Sequence, residues 1–80
     1  MLERNFIIYL PNGKHLSLDI APEKSIQALK HTLEDILFIP AKQQRLMVED
    51  EYLEDEHAII DDVMQDRFVM YLLLDIHGGC

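Results

Sequence analysis

Apolar and polar residues alternate along two stretches near the start of the chain. Over residues 5–10, Phe6, Ile8 and Leu10 share one face of an extended strand, although the positions between them are not uniformly polar. Over residues 15–20 the alternation is clean: Leu16, Leu18 and Ile20 point one way, His15, Ser17 and Asp19 the other. Between the two lies Pro11-Asn12-Gly13-Lys14. Asn-Gly is a hairpin signal because both residues tolerate positive φ. The opening of the chain therefore predicts a β-hairpin.

The period then changes. Ala21-Pro22-Glu23-Lys24 interrupts the strand, and Ser25 can cap a helix by accepting a backbone N–H bond. Ile26, Leu29, Leu33 and the pair Ile36/Leu37 recur at helical spacing, with Lys30, Glu34 and Asp35 elsewhere around the cylinder. The helix should stop near Leu37, ahead of Pro40, because the residue before a proline avoids helical angles. No glycine marks that stop. Residues 44–48 read as a short strand with Leu46 and Val48 inward, and Tyr52-Leu53 as another. Residues 58–64 read as a turn or a single helical turn, with Ile59 and Met64 plugging the core. Residues 68–74 form a final strand, with Met70, Leu72 and Leu74 on one face and Val69, Tyr71 and Leu73 on the other.

The order is ββαββ, a short turn, then β. It predicts an α+β fold with a mixed five-stranded sheet packed on one helix and the last strand central, beside the N-terminal hairpin. One helix covers one face of such a sheet. The other face meets solvent and carries Val69, Tyr71, Leu73 and Met47, which points away from inward Leu46 and Val48. An apolar patch facing water marks a binding surface, homodimer burial or incidental exposure.

Composition narrows the class. Eighty residues, 49% hydrophobic and 28% charged, suit one domain with one modest core, and no repeat, linker or low-complexity tract divides them. A single Cys excludes an intrachain disulfide, and a secreted domain this small usually needs such staples, so a reducing cytosol is the expected compartment. The longest apolar run, residues 68–74, is too short to span a bilayer, and residues 6–10 are too short for a signal-peptide core. A formal net charge of −8 argues against direct nucleic-acid binding, which needs a basic footprint. The acidic clusters Glu49-Asp50-Glu51, Glu54-Asp55-Glu56 and Asp61-Asp62 are solvated surface or a field that steers basic partners. No nucleophile–base pair, phosphate loop or metal cluster appears, so the sequence predicts neither an enzyme nor a bound cofactor.

The chain closes on Asp75-Ile76-His77-Gly78-Gly79-Cys80. Glycine pays the largest entropy on being fixed, so a terminal pair suggests a tail built to stay mobile. The expected organisation is a domain over residues 1–74 and a flexible tail over 75–80. His77 and Cys80 supply two ligands and cannot make a tetrahedral metal site alone. His15, His31 and His57 show no ligand spacing and read as surface residues.

Ile39-Pro40-Ala41-Lys42-Gln43-Gln44-Arg45-Leu46 resembles the Ile-Pro-Pro-Asp-Gln-Gln-Arg-Leu of the ubiquitin family, and Leu53-Glu54-Asp55 resembles its Leu-Glu-Asp. Gly13-Lys14 sits at the corresponding hairpin turn, Pro22 and Ile26 flank the corresponding helix start, and Gly78-Gly79 sits at the family's terminal di-glycine. The resemblance runs without a gap over residues 13–79, more than four-fifths of the chain. It implies the β-grasp fold and a protein modifier. Such a modifier is adenylated at its last glycine by an ATP-dependent activating enzyme, captured as a thioester, and passed by a conjugating enzyme to a target amine. By that resemblance Gly79 is the acyl donor and Gly78 threads narrow enzyme channels with it. Cys80 would be removed first by a processing protease, because it ties up the Gly79 carboxyl. A labelling handle or a thiol that dimerises in air are other readings of Cys80.

The resemblance also places Met47, Tyr71 and Leu73 in the family's hydrophobic recognition patch, with Pro11 altering one rim. Arg45, Asp75 and His77 fall in the partner-binding region. Asp75 and His77 stand where the family has tail arginines, so dedicated activating and conjugating enzymes are expected rather than those of ubiquitin itself. Glu51 and Asp66 replace chain-forming lysines; Lys14 and Lys30 align with lysines and are the candidate acceptors. Two alternatives stay open. One is a sulfur carrier bearing a Gly79 thiocarboxylate, and the other is a non-covalent interaction module.

Overall fold

The computed structural model describes residues 3–59 and 69–75. Strand β1 (Arg4–Tyr9) pairs antiparallel with β2 (His15–Ile20), in a register running from Arg4 opposite Ile20 to Tyr9 opposite His15. Helix α1 (Ile26–Leu37) follows, then a 3₁₀ turn (Ala41–Gln43), β3 (Gln44–Val48), the two-residue β4 (Glu51–Tyr52) and β5 (Val69–Leu74). The sheet order is β2-β1-β5-β3-β4, with β5 central as expected, parallel to β1 and antiparallel to β3. This is the β-grasp arrangement, a mixed five-stranded sheet holding one helix.

The hairpin turns differently from the simplest reading of Asn-Gly. Gly13 N–H donates to the Leu10 carbonyl at 3.0 Å, and Leu10 N–H to the Lys14 carbonyl at 2.8 Å. Only Gly13 has positive φ (86°); Asn12 does not, and its side chain accepts from Lys14 N–H at 2.9 Å. The loop is thus a tight turn followed by a left-handed glycine, the three-residue form of hairpin.

The first four N–H groups of a helix lack partners within it. Here three of them are met from outside the helical ladder. Ile26 and Gln27 donate to the carbonyls of His57 and Asp55, at 2.9 and 3.1 Å, and Ala28 donates to Ser25 Oγ at 3.0 Å; Leu29 N–H then opens the ladder on the Ser25 carbonyl at 3.1 Å. The loop before Ile59 is therefore stitched to the helix start, and Ile59 N–H donates in return to the Lys24 carbonyl. At the other end Phe38 takes the left-handed conformation (φ 61°, ψ 31°) and donates to the Glu34 carbonyl at 2.8 Å. An aromatic residue does the task usually left to glycine. The buried Gln44 amide reaches back to the carbonyls of Lys30 and Ile39, tying β3 to this end of the helix.

The core lies between α1 and one sheet face. Phe6, Ile8, Ile26, Leu29, Leu33, Leu46, Ile59, Met70 and Leu72 are buried together, with Leu10, Leu16, Leu18 and Leu37 packed against its margin. Three expectations change. Lys30, assigned to the exposed side of the helix, is only 8% exposed, and its Nζ donates to Asp55 Oδ1 at 2.6 Å. Leu74 is 44% exposed despite sharing parity with Met70 and Leu72, because it ends β5 beyond the helix-covered core. Ile36 is exposed, and Leu37 carries the packing at the helix end. Met64, Asp66 and Phe68 lie outside the described residues, and with them most of the predicted turn over 58–64.

Candidate functional site

On the sheet face opposite α1, register brings together residues from every strand. His15 lies opposite Tyr9, Tyr9 opposite Tyr71, Tyr71 opposite Met47, and Met47 opposite Tyr52. Neighbouring strands are about 4.8 Å apart, so this row crosses about 19 Å of sheet. Tyr9, Tyr71 and Tyr52 are 38%, 47% and 57% exposed, while Met47 is half-buried among them. The Tyr9 and Tyr71 rings stack, with centroids 5.3 Å apart and an interplanar angle of 22°, and His15 leans on Tyr9 at 5.9 Å. Such a strip combines large contact area with little side-chain entropy to lose on binding.

The predicted patch residues Met47, Tyr71 and Leu73 all lie on this face, where alternate residues of β3 and β5 project. Tyr9 and Tyr52 were not singled out by the sequence. Tyr9 belongs to a weakly alternating strand and Tyr52 to a two-residue one, and only their register with β5 and β3 shows the row.

Beside the row a hollow of about 570 Å³ opens between β3, β5 and the β3–β4 turn, lined by Met47, Val48, Glu49, Asp50, Val69 and Tyr71. Its apolar lining is Met47 and Val48 from the end of β3 with Val69 and Tyr71 of β5, and its acidic rim comes from the turn. Val48 pairs with Glu51, so the loop has two residues, and both Glu49 (φ 51°) and Asp50 (φ 72°) are left-handed. Two-residue hairpin loops favour this geometry, but Asn and Gly adopt it far more cheaply than Glu. Holding an L-residue there costs about 1–2 kcal/mol. From sequence this acidic segment reads as solvated surface or a steering field; with no Asn or Gly in it, nothing there signals a tight turn.

Arg45, opposite Leu73, marks the other edge. Its Nε and Nη2 donate to Asp75 Oδ2 at 3.2 and 3.1 Å, and its guanidinium carbon lies 5.5 Å from the Tyr52 ring centroid. Asp75 N–H also donates to the Gln43 carbonyl at 2.7 Å. At Asp75 the segment leaving β5 is thus tied to Arg45 of β3 and to Gln43 of the 3₁₀ turn.

The two candidate acceptor lysines differ. Lys14 is exposed beside the hairpin turn. Lys30 is enclosed and paired to Asp55, so in this fold its amine is not presented to a partner. His77, Gly78, Gly79 and Cys80 lie outside the described residues. Among the described residues no group of three or more His, Cys, Asp or Glu side chains is placed to hold a metal ion, and no helix is long and apolar enough to cross a membrane.

Comparison with known proteins gives this arrangement its context. The family model described as "Ubiquitin family" matches residues 6–74. The ubiquitin-like protein NEDD8 of Dictyostelium discoideum is 31% identical over 67 residues, covering 84% of this chain and 87% of that protein. The NEDD8-like protein RUB1 of Saccharomyces cerevisiae is 27% identical over 67 residues, again 84% of this chain and 87% of the relative. Ubiquitin-like protein 4A of Rattus norvegicus is 37% identical over 49 residues, which are 61% of this chain and 31% of that longer protein.

Proposed function

This chain belongs to the ubiquitin family, and from that premise we propose that it is a covalent protein modifier, a substrate and tag with no active site of its own. The observation that carries the reading is the match to the family over residues 6–74, followed within five residues of β5 by Gly78-Gly79. In this scheme a protease hydrolyses the Gly79–Cys80 peptide bond and frees the glycine carboxylate. That carboxylate attacks the α-phosphate of ATP, giving an acyl-adenylate and pyrophosphate. An enzyme thiolate displaces AMP to form a thioester. A target amine then displaces the thiol and leaves an isopeptide bond.

The chain's own contribution is recognition. The open face offers Met47, Tyr71 and Leu73 to partners, extended by Tyr9 and Tyr52. At the tail root an activating enzyme meets a carboxylate held by Arg45, where ubiquitin presents an arginine. An acidic pocket built for that arginine is poorly matched to Asp75, which supports dedicated enzymes. We place this activity in the cytoplasm, consistent with a single cysteine.

The test is mass spectrometry of the protein and its adducts from native cells. Trypsin is a poor choice, since the last basic residue is Arg67 and the remnant on a lysine would be long. A protease that cuts after acidic residues, acting at Asp75, would leave Ile76-His77-Gly78-Gly79 on target lysines. That remnant, with Cys80 absent, is the expected result. Sulfur in place of one oxygen at Gly79 would indicate a sulfur carrier instead, and only free protein ending in Cys80 would indicate a non-covalent module or an unprocessed store.

A further inference from the structure

The chain's three tyrosines all lie on the open face, and Tyr52 differs from the other two. Tyr9 and Tyr71 belong to β1 and β5, strands with a neighbour on each side, and their rings stack on one another. Tyr52 ends β4, the two-residue strand at the sheet edge, and is the most exposed of the three. Acidic residues flank it on both sides: Glu49, Asp50 and Glu51 precede it, and Glu54, Asp55 and Glu56 follow Leu53. Tyr9 and Tyr71 have apolar neighbours instead. A hydroxyl presented at a sheet edge amid carboxylates suits an enzyme whose substrate groove is basic.

A second observation gives this hydroxyl a consequence. Arg45 sits diagonally across from Tyr52 on the same face, two residues along β3 from Met47, with which Tyr52 pairs. Its guanidinium carbon is 5.5 Å from the Tyr52 ring centroid while Nε and Nη2 donate to Asp75. One guanidinium thus has a phenol on one side and a carboxylate on the other, and its side chain is about half exposed. A phosphate on Tyr52 brings about −1.5 to −2 charges and three acceptor oxygens, against the single charge of Asp75. Guanidinium–phosphate pairs are charge-assisted and frequently bidentate.

We propose that Tyr52 is a phosphorylation site for a tyrosine kinase that selects acidic segments, and that its phosphate draws Arg45 away from Asp75 and loosens the root of the tail. In the step the Tyr52 hydroxyl oxygen attacks the γ-phosphorus of Mg²⁺-bound ATP. Its proton passes to the kinase's aspartate, and the bond from that phosphorus to the bridging oxygen breaks, releasing ADP. The Glu51 and Glu54 carboxylates repel the new phosphate, and Arg45 is the cation that the fold already holds against the ring. Asp75 keeps its N–H bond to the Gln43 carbonyl and loses the ion pair to Arg45. The proposal rests on the described fold and holds whether or not the chain is conjugated.

Each tyrosine falls in its own tryptic peptide: Tyr9 in 5–14, Tyr52 in 46–67, and Tyr71 from 68 onward. Peptide 46–67 holds no serine or threonine, so phosphate on it reports Tyr52. The purified full chain is incubated with Mg²⁺, ATP and a tyrosine kinase domain that acts on glutamate–tyrosine copolymer. Tyr52 should be modified at least about ten-fold faster than Tyr9 or Tyr71, whose central strands must open first. The variant Glu51→Gln/Glu54→Gln should slow modification of Tyr52 by about five-fold, the upper range for exposed charge pairs. In the isotope-labelled, phosphorylated chain the Arg45 Nε–H resonance should shift, and amide exchange at Asp75 should speed by about two- to five-fold, the worth of an exposed ion pair. A negative charge alone repels hydroxide and slows base-catalysed exchange, so the direction identifies the lost ion pair. In Arg45→Ala that tie is already gone, and phosphorylation should speed exchange no further. From native cells treated with a tyrosine-phosphatase inhibitor, peptide 46–67 should carry phosphate. Tyr9 or Tyr71 modified as fast as Tyr52, no tyrosine modified, the Gln variant modified as fast as the parent, unchanged Asp75 exchange, or no phosphate on the peptide from cells would each overturn the proposal. No activating or conjugating enzyme takes part, so a negative result here leaves the modifier reading intact. Conversely, loss of the Gly79 remnant in cells leaves the Tyr52 result intact.

Discussion

Replacing Phe38 with glycine should stabilise the protein, although it deletes an aromatic side chain. Phe38 ends helix α1 in left-handed backbone with φ 61° and ψ 31°, and its ring is 88% exposed. The left-handed conformation costs an L-residue about 1–2 kcal/mol because Cβ crowds the following carbonyl. Glycine escapes that cost but brings extra unfolded-state entropy, about 0.5–1 kcal/mol. Almost no burial is lost with a ring already in water, so the net gain is about 0.5–1 kcal/mol. For a domain this small, 1 kcal/mol moves the melting temperature by roughly 4–8 °C, so a rise of about 2–8 °C is expected. Thermal and urea unfolding followed by circular dichroism would measure it. Phe38→Ala is the control, because it removes the same ring and keeps the Cβ. Its stability should stay close to the parent, leaving glycine the more stable variant. If glycine and alanine prove equal, or if both lose stability, the backbone argument is wrong and the ring contributes packing that its exposure does not suggest.

Other outcomes follow from the same structure. Asp55→Ala should cost about 1–3 kcal/mol in urea unfolding because it strands the enclosed Lys30 ammonium; a fully buried pair would cost more, but Asp55 is about half exposed. Lys30→Met should cost less than Asp55→Ala, and the reverse order would show that the charge is not effectively desolvated. Gly13→Ala should cost about 1 kcal/mol through its positive φ alone, since a Cβ there meets nothing within 4 Å. Arg45→Ala should change global stability by less than about 1 kcal/mol, as for exposed pairs, yet speed amide hydrogen exchange at Asp75; unchanged exchange would mean that the ion pair to Arg45 does not hold the tail root.

Much of the fold is legible because its signals are local. The alternation over residues 15–20 reappears as β2 with its inward side chains as expected, and Ser25 caps α1 through the bond its side chain was expected to make. The strands of β3 and β5 and the central place of β5 follow from period and order. What stayed hidden depends on partners distant in sequence or on residues used against type. Lys30 is buried because Asp55, 25 residues away, meets its charge. The helix stop lacks its glycine because Phe38 takes the left-handed conformation itself, and the Glu49-Asp50 turn does the same without Asn or Gly. Of the open face, Met47, Tyr71 and Leu73 could be read from strand parity, whereas Tyr9 and Tyr52 join them only through register across strands.

The central claim is that this chain is attached to other proteins through Gly79. The most direct measurement compares the native cell carrying the wild-type chain with one carrying Gly79→Ala, by immunoblot under reducing conditions. Wild type should give a ladder of larger species that survive reductant, and Gly79→Ala should leave the free protein alone. A ladder that persists undiminished in the variant, or no ladder in either cell, would contradict the account.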